Sequence, residues 1–109
     1  MTQSPKKRIL IVDNDEQESS KLGAMVQRAG YDPTTTWSGL EALELLTSQK
    51  IDILVVSSYL PDMYIGDFLA RLAHLPVQPC SIVMQEGQNA NATLLKVQDM
   101  IGEQELQEK

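Results

Sequence analysis

The sequence predicts an α/β protein with an open sheet of parallel strands, and two observations support this. Strand-like segments alternate strictly with segments of helical periodicity, and such strands are joined by right-handed crossovers and lie parallel in one sheet. Two of the segments, "RILIV" and "ILVV", are unbroken apolar runs, which is typical of strands covered on both faces. The predicted strands are residues 8–12, 31–37, 52–58 and 80–85. A chain of 109 residues is long enough for one core, so we predict a single domain, 1–109.

The first helix and the second strand follow from the residues after "RILIV". The stretch "DNDE" at 13–16 is a cluster of helix-capping residues, and Asp13 is placed where it can cap the helix that follows. Apolar residues then recur at helical spacing on one stripe, and Gly30 stands where a glycine ends a helix. The stretch "YDPTTTW" is rich in threonine and contains Pro33, which indicates an edge strand.

Three further helices are predicted in the rest of the chain. The capping box "SGLE" begins a helix that runs through Leu46, and "DFLARLAHL" predicts a short third helix. The stretch that starts at "NATLLKVQDM" predicts a last helix with Leu94, Val97 and Ile101 on one face. We predict that residues 1–6 form a flexible lead-in and that residues 104–109 form a frayed, charged tail.

Composition excludes several classes of partner. The net charge of −6 disfavours nucleic acid, because phosphate binding needs clustered Lys and Arg. No apolar run approaches the ~20 residues that span a bilayer, and the polar start "MTQSPKKR" is unlike a secretion signal. The single cysteine, Cys80, excludes an internal disulfide and suits a reducing compartment. We therefore expect a cytoplasmic protein with no nucleic acid and no membrane as partner.

Functional residues of such a sheet are expected at the carboxyl ends of its strands. In this chain those ends carry Asp13-Asn14, Ser57-Ser58 and Gln85-Glu86. A phosphate-cradling loop would need glycines between the first strand and the first helix, and "DNDEQESS" has none. The sequence also shows no nucleophile–base pair and no metal-ligand cluster. These observations disfavour a nucleotide-binding protein and predict that the chain is not an enzyme.

Three stretches, "ILIVDNDE", "AGYDPTTTWSGLEALELL" and "DILVVSSYLPDM", resemble the receiver domain of bacterial two-component response regulators, over residues 7 to about 86. The resemblance implies a flavodoxin-like, three-layer α/β/α fold with strand order 2-1-3-4-5. It also implies an aspartate that accepts phosphate and a Mg²⁺ ion beside that aspartate. The 24 residues after Gln85 are too few for the usual helix, strand and helix. We therefore expect four strands in the order 2-1-3-4.

The residues that match the family's phosphorylation site depart from its pattern. Ser57 occupies the acceptor position, so no phospho-acceptor remains there, because a serine cannot form an acyl phosphate. The acidic pair of the family becomes Asp13 and Asn14, and Tyr59 would supply the backbone carbonyl to the metal. Gln85 replaces the family's Thr or Ser, and the family's lysine has no counterpart. The resemblance therefore implies a vestigial pocket with no catalytic residue, and we expect Mg²⁺ binding that is weak or absent.

The first functional hypothesis is an atypical receiver that acts in signal transduction as a phosphorylation-independent protein-interaction module. Its partner would be a histidine kinase or another signalling protein. One alternative is a phosphorelay receiver with a displaced acceptor, Asp62; another is a small ligand-binding or enzymatic α/β domain outside this family.

A homodimer is also predicted. The fourth strand lacks a neighbour for its outer edge, and such an edge is a template for pairing with another chain. We expect Leu94, Val97 and Ile101 to be only partly buried within one copy, so self-association would cover both the strand edge and this helix face.

Overall fold

The structure, a computed structural model, describes residues 6–85 and 88–107. Strands and helices alternate along the chain. They are β1 (Arg8–Val12), α1 (Glu16–Arg28), β2 (Asp32–Thr36), α2 (Gly39–Ser48), β3 (Ile53–Ser57), α3 (Ile65–Leu72), β4 (Cys80–Met84) and α4 (Ala90–Gln107). All strand pairs are parallel and the sheet order is β2-β1-β3-β4, which confirms the predicted topology.

Helices cover both faces of the sheet, so the fold has the predicted three layers. Alternate residues of β1 and β3 point to opposite faces and are buried on both. One face packs against α1 and α4, and its buried residues are Ile9, Ile11, Leu22, Val26, Ile53, Val55, Ile82, Ala90, Val97 and Ile101. The other face packs against α2 and α3, and its buried residues are Leu10, Val12, Ala42, Leu46, Ile51, Leu54, Val56, Leu60, Phe68 and Leu72.

The helix starts explain why the chain turns where it does. Asp15 caps α1, since its Oδ1 accepts a hydrogen bond of 3.1 Å from the Glu18 amide. Asp13 does not cap the helix as predicted. Its Oδ1 accepts the Asp15 amide at 3.0 Å and so supports the capping residue. Gly30 follows the helix with φ of 98°, a left-handed conformation that favours glycine.

The last helix is more completely packed than the sequence suggested. Val97 and Ile101 are 0% and 3% exposed, and Leu94 packs against the same core. The expectation that these three residues are only partly buried and so available for self-association is therefore wrong for Val97 and Ile101, because the sheet and α1 already cover them. The homodimer itself stays a prediction. None of the described helices is both long and apolar enough to cross a membrane.

The end of α4 also differs from the prediction. The helix continues to Gln107, whereas a frayed tail was predicted from 104. Gln104 explains part of this, since its Nε2 donates to the Asp52 carbonyl at 3.2 Å and to Cys80 Sγ at 3.3 Å. Residues 1–5 of the predicted lead-in and residues 108–109 of the predicted tail lie outside the described residues.

The side of the sheet that α4 occupies shows that β4 is an edge. The crossover helices α2 and α3 carry the chain from β2 towards β4 on one face of the sheet. By the right-handed rule, a helix leading to a further parallel strand beside β4 would lie on that same face. Instead α4 lies on the α1 face. In the described part of the chain, the outer side of β4 is therefore left without a neighbouring strand.

Candidate functional site

The carboxyl ends of β1, β3 and β4 open into one cleft of about 400 Å³. A parallel sheet brings these strand ends to one edge, and the five residues predicted for the pocket all line the cleft. They are Asp13, Asn14, Ser57, Tyr59 and Gln85. Ser58, named with Ser57 at the end of the third strand, lines the cleft too, and so do residues that were not predicted, among them Asp15, Glu18, Gln88 and Thr93.

Ser57 is the last residue of β3, and its hydroxyl shapes the turn that follows. Its Oγ accepts a hydrogen bond of 3.2 Å from the Tyr59 amide. The Ser58 amide donates to the Met84 carbonyl at 3.0 Å, which extends the pairing of β3 with β4 by one residue. Tyr59 lies at the cleft with 66% of its surface exposed. The position facing the cleft from β3 is thus a neutral hydroxyl with a local structural partner.

Asp13 is a half-buried carboxylate held by the backbone. Burial raises the pKa of Asp13; the hydrogen bond from the Asp15 amide opposes this, and repulsion from the Asp15 and Glu18 carboxylates raises it further. Its own amide donates to the Thr36 carbonyl at 3.0 Å, which continues the pairing of β1 with β2. The negative form of Asp13 is therefore less favourable in the fold than in water.

The charges around the cleft are all of one sign. Asp13, Asp15 and Glu18 line it, and no lysine or arginine does so among the described residues. A phosphoryl oxygen placed about 4 Å from one carboxylate would be repelled by about 4 kcal/mol under partly desolvated conditions. The described residues of the cleft therefore offer no electrostatic support to a phosphoryl group.

A chain of amides closes the cleft on the β4 side. The Gln85 amide donates to Gln88 Oε1 at 3.4 Å, and the Gln88 amide donates to the Gln85 carbonyl at 3.1 Å. Gln88 Nε2 then donates to the hydroxyl of the fully buried Thr93 at 2.9 Å. Gln85 therefore begins a network that continues through Gln88 to Thr93 in α4. Glu86, predicted beside it at the strand end, lies outside the described residues.

Comparison with known proteins addresses the fold and part of the sequence. No protein-family profile matches the chain. Over 57 residues it is 37% identical to the alkaline phosphatase synthesis transcriptional regulatory protein PhoP of Bacillus subtilis. That match covers 52% of this chain and 24% of PhoP, so the chain spans about a quarter of this curated relative.

Solved structures match almost the whole chain. A Vibrio parahaemolyticus signal receiver domain, from a protein described as a LuxO repressor, superposes with a TM-score of 0.84 at 16% identity, covering 94% of this chain and 95% of its own. The signal receiver domain of an HD domain-containing protein from Pseudomonas fluorescens Pf-5 gives 0.81 at 18% identity, covering 99% and 96%. The chain has the receiver-domain fold. The resemblance found in the sequence is thereby confirmed, and an unrelated α/β fold is excluded.

The receiver fold implies a magnesium ion at this cleft, but the side chains present do not fit one. Mg²⁺ requires near-octahedral oxygen ligands, usually with carboxylates that are free to bind it. Here Asp13 Oδ1 and Asp15 Oδ1 each accept a backbone amide. Among the described residues, no group of three or more acidic, histidine or cysteine side chains is arranged to hold a metal. Weak or absent Mg²⁺ binding remains our prediction.

Asp62, the alternative acceptor, lies in the loop between β3 and α3 and does not line the cleft. Its Oδ2 accepts the Ser38 hydroxyl at 2.8 Å and the Leu40 amide at 3.1 Å, and its Oδ1 accepts the Gly39 amide at 2.9 Å. Desolvation raises the pKa of Asp62, but these hydrogen bonds outweigh it and the pKa is lowered. Asp62 is thus a second cap for α2, beside the predicted cap Ser38, whose Oγ accepts the Glu41 amide. This geometry disfavours Asp62 as a displaced phospho-acceptor.

The same loop packs directly against the first residue of α2. A Cβ placed on Gly39 would lie 2.7 Å from Met63 Sδ and 3.1 Å from Leu60 Cδ1. Because residue 39 is a glycine, Leu60 and Met63 can pack closely against the start of α2, and the Asp62 carboxylate can then accept amides of the first turn of α2. The loop after β3 is therefore fixed to α2 by both packing and hydrogen bonds.

Four polar residues of the cleft were not predicted from the sequence. The sequence contained an indication for two of them and none for the other two. Glu18 stands four residues before the buried Leu22, so it lies on the inward face of α1 and its placement at the cleft was predictable. Asp15 belongs to the capping cluster that was recognised. Gln88 and Thr93 are joined by a side-chain hydrogen bond across the start of α4, which the sequence did not indicate.

Proposed function

We propose that the chain acts in signal transduction as a receiver-type protein-interaction module that works without aspartyl phosphorylation and without catalysis of its own. The observation that supports this most strongly is Ser57. It lies at the carboxyl end of β3, where its hydroxyl accepts the Tyr59 amide, and the resemblance in sequence matches it to the acceptor position. An acyl phosphate needs a carboxylate nucleophile, which this position does not provide.

Activation of Ser57 as a different kind of nucleophile is also unsupported. A serine hydroxyl is a weak nucleophile unless an adjacent base removes its proton. The only histidine of the chain, His74, follows α3 and does not line the cleft. The carboxylates of Asp13, Asp15 and Glu18 would repel a phosphoryl donor that approached Ser57.

The surface around the cleft is suited to contact with a protein. Three aromatic side chains in the loops that follow the carboxyl ends of β2 and β3 are exposed: Trp37 by 61%, Tyr59 by 66% and Tyr64 by 82%. Trp37 lines a depression that shares Asp13 and Asn14 with the cleft region, and Tyr64 lines another with Tyr59. Exposed aromatics are enriched in protein interfaces. We propose a histidine kinase or another cytoplasmic signalling protein as the partner of this surface.

The experiment that tests this proposal is incubation with acetyl phosphate and Mg²⁺, followed by intact mass spectrometry. A receiver domain that retains its acceptor aspartate is treated in parallel as the positive control. We expect the control to gain a phosphoryl group and this chain to gain none. An adduct on the wild-type chain that disappears in Asp62→Asn would contradict the proposal and support a displaced acceptor.

A further inference from the structure

The two edges of the sheet differ in whether they can accept another strand. In β2, the Asp32 amide donates to the Lys7 carbonyl at 2.8 Å, and the Thr36 carbonyl accepts the Asp13 amide at 3.0 Å. Since backbone groups alternate along a strand, Pro33 and Thr35 present theirs to solvent. Pro33 has no N–H to donate, so this edge is poorly suited to pairing.

The opposite edge, β4, has no such protection. The Cys80 amide donates to the Asp52 carbonyl at 3.2 Å, and the Met84 carbonyl accepts the Ser58 amide at 3.0 Å. The same alternation therefore turns the N–H and C=O groups of Ser81 and Val83 outwards. The strand "CSIVM" contains no charged residue and no proline, so its outer side is open to another strand.

One stripe of α4 runs alongside this open edge. A shallow groove beside β4 is lined by Ser81, Ile82 and Val83 and by residues of α4 spaced i, i+3, i+4 and i+7. Those helix residues are Lys96, Asp99, Met100 and Glu103. The helix runs antiparallel to β4, since Thr93 lines the cleft at the Met84 end and Gln104 contacts Cys80 at the other end. The middle of the stripe therefore lies beside Ile82.

We propose that the β4 edge binds a second copy of this chain across a twofold axis through Ile82, so that the two sheets become one. Ser81 of each copy then faces Val83 of the other in antiparallel pairing. Each such pair exchanges both of its main-chain hydrogen bonds, and Ile82 of one copy lies opposite Ile82 of the other. The pairing uses backbone groups that β4 turns away from β3, and it does not depend on the chemistry of the cleft.

Charge complementarity identifies a second copy as the occupant. In a twofold interface the same surface of both copies meets, so a residue at one end of the surface faces the residue at the other end in the second copy. The axis through Ile82 passes the middle of the α4 stripe, so Lys96 of each copy comes opposite Glu103 of the other. The positive residue begins the stripe and the negative residue ends it, which is the order that antiparallel helices of two copies require.

The first test is sedimentation equilibrium of the full chain from micromolar to a few hundred micromolar. We expect the wild type to dimerise and Ser81→Pro to remain monomeric, because proline removes an N–H that β4 turns away from β3. Thr35→Pro is the matched control, since it removes an outward N–H from the opposite edge and should leave the dimer intact. Circular dichroism melts check that both variants fold. A monomeric wild type, or a dimer that persists in Ser81→Pro, would overturn the proposal.

The second test examines the register through charge. In either single variant, Lys96→Glu or Glu103→Lys, residues 96 and 103 carry the same charge, and the twofold axis brings them together at two symmetric places in the dimer. Each single variant should therefore weaken dimerisation about fivefold or more at low salt. The double variant exchanges the two signs and should regain the wild-type affinity. Single variants that dimerise as well as the wild type, or a double variant that stays as weak as the single ones, would refute the twofold axis through Ile82.

Discussion

Substitution of Asp62 by alanine tests whether the loop after β3 stabilises α2. In the structure its carboxylate accepts three hydrogen bonds from the first turn of that helix, from the Ser38 hydroxyl and the amides of Gly39 and Leu40. One helix cap contributes about 0.5–2 kcal/mol. Asp62 is exposed to solvent, which weakens each bond, and Ser38 would remain as a cap. We expect Asp62→Ala to lower the free energy of unfolding by about 1 kcal/mol, or about 4–8 °C in Tm.

The pH dependence of that loss separates the carboxylate from simple packing. The pKa of Asp62 is lowered in the folded chain, so its stabilisation is present at neutral pH and is lost as the pH falls below 3.8 through the folded value. Urea unfolding at a series of pH values should show wild type and Asp62→Ala converging in acid. The control is Glu44→Ala, which removes an exposed carboxylate from the same helix. A capping role for Asp62 is refuted if Asp62→Ala is as stable as Glu44→Ala at neutral pH, or if the stability that Asp62→Ala loses does not change with pH.

Three further predictions concern the cleft and the loop. Asp13→Asn keeps an acceptor for the Asp15 amide and removes a carboxyl group whose pKa is raised. It should add about 0.5 kcal/mol to the free energy of unfolding at pH 7, and urea unfolding should show that this gain vanishes below pH 3.8. Equal stability of variant and wild type at pH 7 would count against this prediction. Gly39→Ala should cost about 1 kcal/mol through overpacking on Met63, and the loss should shrink in a Met63→Ala background. Ser57→Asp should lower Tm by adding a carboxylate to an acidic cleft, and should not restore phosphoryl-induced shifts in NMR spectra, because Gln85 offers no hydroxyl; full switching in this variant would contradict us.

The sheet was predictable from the sequence because its central strands are covered on both faces. Uninterrupted apolar runs such as "RILIV" can be satisfied only between two layers of helices, and both β1 and β3 prove to be buried on both sides. Pro33 and the threonines likewise marked β2 as an edge. Since parallel strands end at one side of the sheet, the meeting of Asp13, Ser57 and Gln85 in one cleft also followed from the sequence.

Tertiary contacts decided the features that the sequence did not indicate. The pattern of α4 showed that Val97 and Ile101 share an apolar face, but a periodic pattern does not say what covers that face, and here the chain's own core does. Asp62 followed a proline in a turn and resembled an ordinary solvated residue. Its bonds to α2 depend on the approach of two loops that lie far apart in the sequence. Asp13 was predicted as the cap of α1, and Asp15 holds that position because the Asp13 carboxylate accepts the Asp15 amide instead.

The most direct test of a receiver that works without aspartyl phosphorylation is a titration of the isotopically labelled chain with beryllofluoride and Mg²⁺, followed by backbone NMR. Because Ser57 offers no carboxylate and no described lysine lines the cleft, we predict no saturable shift of the amides of Asp13, Ser57, Tyr59 or Gln85. Mg²⁺ alone should produce weak shifts in the millimolar range at most. Saturating shifts concentrated on these amides would contradict it, since they would show that the cleft holds a phosphoryl mimic.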